Sequence, residues 1–296
     1  MTSSRAHLAT DEKVLRERGE LLRSFLTEYP FQPATAFWRA IEVGEVLHGI
    51  APLAGRVLDV GCGDGRLTRI VDRAWTGQRT WVGVDPDALE VEAARRRGFY
   101  EQLFATSAES LPLGGSTFDG AFSNSVLEHI PNVEPVLAEV SRLLRVGGRF
   151  VFTVPSPGLH EALAGPWLPT VSRELYLDMI DKRLAHYYYF DEQQWTTVLR
   201  RVGLTPTMAR PYLQVAQVRT WENLSRLTGG LLHALTGHKV HPLTIQRKLK
   251  MRSGSEKMPG ALSRLIARTL DSRLEDKQGA TLHSCWLIEA TKVQAM

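Results

Sequence analysis

The sequence has few cysteines and no long apolar run. Its two cysteines, Cys62 and Cys285, cannot supply a disulfide framework, and neither belongs to a CxxC pair of the kind that binds zinc. Arg, Asp, Gly or His interrupts every apolar stretch before it reaches the roughly 20 residues that cross a bilayer. The N-terminal residues carry charges where a signal peptide needs an apolar segment, so we expect a cytoplasmic protein.

A strong charge of one sign is also missing. The 36 Lys and Arg residues exceed the 32 Asp and Glu residues by only enough to give a formal net charge of +4. This excess does not indicate a nucleic-acid partner, and we expect none. Hydrophobic residues at 43% and charged residues at 23% are ordinary globular values, which exclude wholesale disorder. The 296 residues suffice for one enlarged domain or two small ones.

Short apolar runs alternate with longer amphipathic ones after residue 55. Strands and helices alternating at this spacing form βαβ units, which predict a parallel sheet covered by helices on both faces. The predicted strands are 56–60, 80–85, 102–107, 119–124 and 149–154. The predicted helices between them are 65–74, 88–97 and 134–145. Gly147 and Gly148 are expected to cap the last of these helices.

The pattern becomes mostly helical after Pro157. A further helix is predicted at 192–201, a strand within 204–218, and the last strand of the sheet at 282–290. The N-terminal 50 residues are also helical in pattern. These features predict three parts, namely an N-terminal helical cover at 1–50, a core at 51–212 and 281–296, and a helical lid or insertion at 213–280.

A glycine-rich turn carries the strongest functional signal. Residues 57–65, VLDVGCGDG, run from a strand through glycines into a helix. Glycines accept positive φ and have no Cβ, so a ligand can approach the backbone closely. A dinucleotide site would need a third glycine where Arg66 stands. Asp59 and Asp64 would repel a pyrophosphate and suit a ligand that carries an ammonium group.

Three stretches in order extend this signal: VLDVGCGDG, GVDPD and AESLPLGGSTFDGAFSNSVLEHIPNVEPVLAEVSRLLRVGGRFVFTVP. On these stretches, from about residue 55 to 155, the chain resembles the class I S-adenosylmethionine (SAM) methyltransferases. It is most similar to the small-molecule enzymes that include ubiquinone and sterol methyltransferases. The resemblance implies an α/β fold with a Rossmann-like, doubly wound, seven-stranded sheet, and it implies SAM as the cofactor.

The resemblance also implies a set of cofactor-binding residues. The methionine part of SAM is expected at Asp59, the glycine turn and Asn124, and the ribose hydroxyls at Asp85. The adenine is expected beside Pro86 and the turn at 107–109, although Ser107 stands where family members often have Asp. The full expected set is Asp59, Gly61, Cys62, Gly63, Asp64, Gly65, Asp85, Pro86, Ser107, Ala108, Glu109 and Asn124.

His129 is the candidate catalytic residue. It follows the fourth predicted strand, and imidazole has a suitable pKa for a base near neutrality. We hypothesise that His129 is the general base or part of the acceptor pocket, with a packing role as the alternative. Glu128, Tyr187 and Tyr189 are candidate acceptor-binding residues, although the HYYYF run that holds both tyrosines also suits a buried connector. No metal ligand is assigned, and a requirement for a divalent ion stays open.

These features favour a SAM-dependent O-methyltransferase acting on a small-molecule hydroxyl, above all that of a sugar or oligosaccharide, free or lipid-linked. Five Lys or Arg residues and no acid between 238 and 252 would suit contact with an anionic membrane surface. The alternatives are another specialised metabolite, RNA or protein as acceptor, or a SAM-binding protein without catalysis. The RNA reading is weakened because Ser123-Asn124-Ser125-Val126 lacks the Pro-Pro-aromatic motif of base amine methylation. The oligomeric state is not predicted.

Overall fold

The computed structural model describes residues 17–29, 32–226, 260–275 and 281–293. The chain divides into two compact units. One, which we call the sheet unit, takes the described residues of 49–157, 185–212 and 285–296. The other, which we call the helical unit, takes those of 1–48, 158–184 and 213–284. The predicted basic segment at 238–252 lies outside the described residues.

The described strands form one seven-stranded sheet in the order β3-β2-β1-β4-β5-β7-β6. They are β1 (Gly55–Val60), β2 (Arg79–Asp85), β3 (Gln102–Ala105), β4 (Phe118–Asn124), β5 (Leu144–Pro155), β6 (Leu204–Gln214) and β7 (His283–Lys292). Strands β1 to β5 pair in parallel, and β7 pairs antiparallel with β5. The predicted doubly wound sheet is confirmed.

Helices connect these strands and make up most of the helical unit. They are α1 (17–28), α2 (Pro33–Gly49), α3 (Arg66–Ala74), α4 (Ala88–Arg96), α5 (Glu134–Leu143), α6 (Gly158–Ala162), α7 (Arg173–Leu184), α8 (Glu192–Arg201), α9 (Val215–Ser225) and α10 (Gly260–Leu270). Short 3₁₀ turns lie at Leu127–His129 and Asp271–Arg273. Asp87 caps α4 by accepting from two backbone N–H groups, and Asp191 forms a capping box with Gln194 on α8.

The core of the sheet unit is apolar and aromatic. Phe150 and Phe152 on β5 are fully buried, and the Phe152 ring lies 5.1 Å from that of Trp195 on α8. Trp195 and Leu199 are buried, which confirms the helical spacing predicted for this segment. Burial of such large side chains is the main favourable contribution to folding of the unit.

The boundary between α5 and β5 differs from the prediction. The expected glycine cap is wrong because α5 ends at Leu143 and β5 begins at Leu144. Gly147 lies inside the strand with φ of +81°, where the register with β4 shifts between Phe118 and Gly120. A glycine with positive φ accommodates such an irregularity, so the glycine signal marks a bulge rather than a helix end.

The helical unit joins parts of the chain that are far apart in sequence. The buried side chain of Arg18 pairs with Glu45 and donates a hydrogen bond of 3.0 Å to Leu274 O. The rings of Trp38 and Trp221 meet edge to face at 5.1 Å. The N-terminal helices therefore pack with α9 and with the segment after α10. The roles of these parts as cover and lid stay predictions. Among the residues that the structure describes, no helix is long and apolar enough to cross a membrane.

Candidate active site

The predicted cofactor residues lie at the carboxyl ends of β1, β2, β3 and β4. Connections from β1 lead to β2 on one side, whereas β4 and β5 lie on the other. A doubly wound sheet binds its ligand in the crevice at this reversal of strand order. Ser123 Oγ on β4 donates a hydrogen bond of 3.0 Å to Val60 O at the end of β1, which ties the two strands together there.

The three glycines of the turn all have positive φ, at +75° for Gly61, +50° for Gly63 and +76° for Gly65. A Cβ on Gly61 would lie 2.4 Å from Val126 Cγ1, and one on Gly65 would lie 2.8 Å from Tyr100 Cε2. A Cβ on Gly63 would meet no atom within 4 Å. Gly61 and Gly65 are therefore required by packing, whereas Gly63 leaves a space that a ligand can fill.

Asp85, the last residue of β2, is held beside this space. Its Oδ2 accepts a hydrogen bond of 2.9 Å from Gly63 N, and its Oδ1 accepts one of 2.9 Å from Asp87 N. Burial raises the pKa of the Asp85 carboxyl, and the two backbone N–H groups oppose that shift. The carboxyl is thus fixed in orientation next to the open face of Gly63, where the resemblance places the ribose.

Asp59 directs one oxygen into the protein. It is 2% exposed, and its Oδ2 accepts hydrogen bonds of 2.6 Å from both Thr68 Oγ1 and Tyr100 Oη. Burial raises the pKa of Asp59 to about 6, although the two hydrogen bonds oppose the shift. Asp59 therefore links β1 to α3 and to the segment before β3. Neither hydroxyl partner was predicted from the sequence.

The Asp64 carboxylate forms ion pairs with two arginines. Its Oδ2 lies 3.1 Å from Arg66 Nε and 3.7 Å from an Arg97 terminal nitrogen, and Arg97 Nε also donates to Asp64 O at 2.8 Å. Its Oδ1 accepts from Arg66 N at 3.2 Å. These contacts anchor the start of α3. A contact between Asp64 and an ammonium group of the ligand stays a prediction.

Cys62 packs inside the turn. The residue is 7% exposed, and its N–H donates to Val84 O at 3.0 Å. Its Sγ lies 2.9 Å from the position that a Cβ on Gly83 would take. Burial, and next the Asp59 carboxyl, raise the pKa of the thiol well above its usual range. Cys62 is therefore a packing residue and is unsuited to nucleophilic chemistry.

The residues predicted to flank the adenine lie side by side. Asp85 on β2 is in register with Ala105 on β3, so Pro86 and the turn at 107–109 follow two adjacent strand ends. Pro86 is exposed, as are Ser107 and Glu109, and Ala108 is partly buried. Strand β3 ends two residues before its predicted end. Ser107 Oγ there accepts from Glu109 N at 3.4 Å, a local bond that favours a turn.

Asn124 ends β4 and is 7% exposed. The next residue, Ser125, has φ of +49°, and its N–H donates to both the carbonyl oxygen and Oγ1 of Thr153, each at 3.0 Å. The chain therefore turns sharply and rigidly after β4. This turn leads through Val126, which contacts Gly61, to the segment that holds His129.

The aromatic run after α7 alternates in its contacts. Tyr188 stacks on Phe190 at 4.3 Å, both rings contact Trp195, and Tyr188 Oη donates to Leu127 O at 2.5 Å. Tyr187 is 61% exposed. Extended residues alternate in direction, so the run packs Tyr188 and Phe190 against the core and exposes Tyr187.

Three potential ligands meet next to this run. One ligand atom each from Glu128, His129 and His186 lies within 4.8 Å of the other two. Glu128 Oε1 lies 4.0 Å from His129 Nε2, and the two imidazole centroids are 5.1 Å apart. Glu128 and His129 were candidates from the sequence, whereas His186 was not, because it is distant in sequence and precedes a run of tyrosines.

Residues 58–152 match a family model described as a methyltransferase domain. These residues form a class I SAM-dependent methyltransferase domain. Its match begins on β1 and ends on β5, so it contains the glycine turn, Asp85, Asn124 and His129. SAM is the cofactor of this family, and the site fits it. The space at Gly63 admits a ligand next to the backbone, and the Asp85 carboxyl stands beside that space.

Relatives of this methyltransferase domain act on different atoms. A sterol 4-C-methyltransferase from Caenorhabditis elegans is 28% identical over 45% of this chain and 50% of its own length. A ubiquinone biosynthesis O-methyltransferase from Agrobacterium fabrum is 36% identical over 33% of this chain and 40% of its own length. The chain thus spans half or less of these two curated relatives, and their names do not agree on the acceptor atom.

A solved structure confirms the fold of the methyltransferase domain and its surroundings. Geranyl diphosphate C-methyltransferase from Streptomyces coelicolor, in complex with Mg²⁺, geranyl-S-thiolodiphosphate and S-adenosylhomocysteine, superposes with a TM-score of 0.51. The likeness covers 84% of this chain and 74% of that one, at 15% identity. At this identity the comparison establishes the architecture alone.

Proposed function

We propose that this protein transfers a methyl group from SAM to a hydroxyl of a small-molecule acceptor, with a sugar or oligosaccharide as the preferred class. The observation that carries the proposal is the contact between the glycine turn and the segment after β4. Val126 packs against Gly61, and Glu128 and His129 follow within three residues. This contact links a cofactor cradle to titratable side chains.

The chain holds the donor through backbone and carboxyl groups. Gly63 leaves room beside the turn, Asp85 presents a fixed carboxyl for two adjacent hydroxyls, and Asn124 lies at the end of the neighbouring strand β4. Bound there, SAM supplies an electrophilic methyl group: the acceptor oxygen bonds to the methyl carbon while the carbon–sulfur bond breaks and its electron pair stays on sulfur. Alignment of the acceptor contributes ~7 to 11 kcal/mol to such a step.

His129 is suited to removing the hydroxyl proton. Its side chain is 38% exposed, so an acceptor can reach it. Its Nδ1 lies 3.0 Å from Ala185 O. A carbonyl oxygen only accepts, so Nδ1 carries the proton and Nε2 is the basic nitrogen of the neutral ring. Glu128, buried beside Nε2, favours the positive charge that the ring acquires when it takes a proton.

The acceptor class is inferred from the rings near His129. Tyr187 is exposed, and Tyr189 Oη lies 3.0 Å from His186 Nδ1. Aromatic faces combined with hydroxyls suit the apolar face and the polar rim of a sugar ring. A lipid-linked acceptor, with the basic segment at 238–252 against an anionic membrane, is the extended form of this proposal.

The test is S-adenosylhomocysteine formation by the purified protein with SAM and separate pools of saccharides, glycolipid extracts, phenolics and RNA. We expect turnover with the saccharide or glycolipid pool. His129→Gln should lower turnover by ~10²- to 10⁴-fold while the Kd for SAM stays unchanged. Turnover with RNA alone would contradict the proposed acceptor, and unchanged turnover in the variant would remove His129 from the mechanism. NMR of the product identifies the methylated atom.

A further inference from the structure

The cluster of Glu128, His129 and His186 has the composition of a metal site. Two imidazoles and one carboxylate bind zinc in catalytic sites with a fourth position open, and the same set binds iron(II) in other enzymes. We propose that these three residues bind a divalent transition-metal ion of the zinc class. The proposal deepens the proposed function, since the open position would take the acceptor hydroxyl.

The distances between the three ligand atoms are slightly longer than those around a bound ion. Two ligand atoms that each lie about 2.1 Å from one tetrahedral ion are roughly 3.4 Å apart. Glu128 Oε1 and His129 Nε2 are 4.0 Å apart, and the ligand atoms of all three residues lie within 4.8 Å of one another. Coordination would require these separations to shorten by roughly 0.6 to 1.4 Å, a change on the scale of small side-chain rotations.

The ring of His129 is oriented as a metal ligand would be. Metal-binding histidines almost always donate the second ring N–H to a carbonyl or carboxylate, which fixes the tautomer. His129 Nδ1 makes this contact with Ala185 O at 3.0 Å, and Nε2 is the nitrogen that faces Glu128. His186 has the corresponding contact from Nδ1 to Tyr189 Oη, at 3.0 Å.

The backbone holds the two ligand-bearing segments together. Tyr187 N donates to Glu128 O at 2.9 Å, and Ala185 has φ of +57°, an uncommon value for alanine that sets the direction of the chain before His186. The cluster therefore rests on main-chain contacts as well as on side chains. The Glu128 side chain is 2% exposed and that of His129 is 38% exposed. The site therefore has one buried ligand, and an ion can enter from the side of His129.

The ligand set also indicates which metals bind. Mg²⁺ prefers oxygen ligands, whereas imidazole suits zinc, iron, nickel and copper. An ion bound here would lower the pKa of a coordinated hydroxyl, whose proton then passes to solvent water. In that arrangement His129 Nε2 is a metal ligand and does not act as the general base, so the ion replaces that part of the mechanism proposed above. The alkoxide forms the new bond to the methyl carbon as in the reaction above.

The first test measures Zn²⁺ and Co²⁺ binding to the EDTA-stripped full chain by equilibrium dialysis with elemental analysis, without any acceptor. We expect one equivalent of bound ion in the wild type. Glu128→Gln, His129→Gln and His186→Gln should each weaken binding by at least about tenfold. Tyr189→Phe should weaken it less. Excess Mg²⁺ should not displace the ion.

His160→Gln is the matched control. His160 Nε2 lies 2.9 Å from Asp181 Oδ1, so the residue is another histidine paired with a carboxylate, but it belongs to the helical unit. This variant should bind the ion like the wild type. Circular dichroism of each variant confirms that it is folded. Absence of stoichiometric binding in the folded wild type, or equal binding by all variants, would overturn the metal site.

A second measurement separates the metal site from the proposed function. With an active acceptor in hand, removal of the ion should abolish S-adenosylhomocysteine formation, and added Zn²⁺ or Co²⁺ should restore it, while the Kd for SAM stays constant. Full turnover by the metal-free protein would overturn the activating role. If no hydroxyl acceptor supports turnover, the proposed function fails, whereas the dialysis result still decides the metal site.

Discussion

The backbone N–H of Gly63 donates a hydrogen bond of 2.9 Å to Oδ2 of Asp85. This contact joins the turn after β1 to the last residue of β2. It orients the carboxyl beside the space at Gly63, and it leaves the other oxygen to accept from Asp87 N. The cofactor cradle and the predicted ribose-binding residue are therefore one connected structure.

Replacement of Asp85 should weaken SAM binding. Asp85→Ala removes a charged acceptor from the predicted ribose site, and a hydrogen bond to a charged group contributes about 1.5 to 3 kcal/mol, or roughly ten- to a hundredfold in Kd. Isothermal titration calorimetry with SAM measures the change. Glu92→Gln, an exposed acid on α4 paired with Arg95 and Arg96, is the control and should leave the Kd unchanged. An unaltered Kd in Asp85→Ala would refute the ribose contact.

Two glycines with similar backbone strain should differ in their effect on the cofactor. Gly63 and Gly98 both have positive φ, and a Cβ on either would meet no atom within 4 Å. Gly63→Ala and Gly98→Ala should each lower stability by about 1 kcal/mol. Only Gly63→Ala should weaken SAM binding, because its methyl group would occupy the cradle. Equal SAM affinity in both variants would show that the space at Gly63 is not used.

Gly61→Ala should destabilise the fold more than Gly63→Ala or Gly98→Ala. Its Cβ would lie 2.4 Å from Val126 Cγ1 in addition to the strain of a φ of +75°. Overpacking of this kind typically costs about 1 to 3 kcal/mol. Thermal melting in the absence of SAM measures it. A melting temperature equal to that of Gly98→Ala would mean that Val126 moves aside freely.

Asp59 should make stability depend on pH in the mildly acidic range. Its pKa is raised by burial from 3.8 to about 6, so between these values the folded state binds a proton more tightly than the unfolded state. The free energy of unfolding should therefore fall as pH rises from about 4 to 6, by up to about 3 kcal/mol from this group, and level off above. Urea denaturation of the wild type and Asp59→Asn across this range isolates the contribution. Identical pH slopes in the two proteins would exclude it.

The buried pair of Arg18 and Glu45 should be essential for the helical unit. Removing one partner of a buried ion pair costs about 3 to 5 kcal/mol, because the other charge loses its compensation. Glu45→Gln should therefore lower the free energy of unfolding measured in urea. Glu17→Gln, which removes an exposed partner of His48, should cost less than about 1 kcal/mol. A similar loss of unfolding free energy in Glu45→Gln and Glu17→Gln would show that the buried pair stabilises the protein no more than the exposed one.

Several elements could be predicted because their signals are local. The apolar runs of β1, β2 and β4 and the helical spacing around Trp195 each appear within a few consecutive residues. The boundary between α5 and β5 at Leu143 and Leu144 could not be predicted. A glycine pair usually ends a helix, but here β5 already pairs with β4 before the glycines. Local propensity is a weak guide where strand pairing decides the conformation.

The candidate site was predictable to the same extent. The glycine turn and Asp85 stand next to predicted strands, so their approximate place was evident from the sequence. The partners of Asp59 were not, because Thr68 and Tyr100 lie on other elements. His186 joins Glu128 and His129 only because the segment after α7 bonds to the turn after β4.

The sequence by itself determined the doubly wound sheet and the place of the glycine turn, because periodic apolar runs and short motifs act through neighbouring residues. The SAM cofactor was implied by the resemblance of those motifs to a known family. Only the tertiary structure decided that Gly63 faces open space while Gly61 and Gly65 are packed, and that Arg18 meets Glu45 and Leu274. It also decided that the ligand atoms of Glu128, His129 and His186 lie within 4.8 Å of one another. These features depend on the distance between residues far apart in the chain, which folding sets and a one-dimensional pattern does not contain.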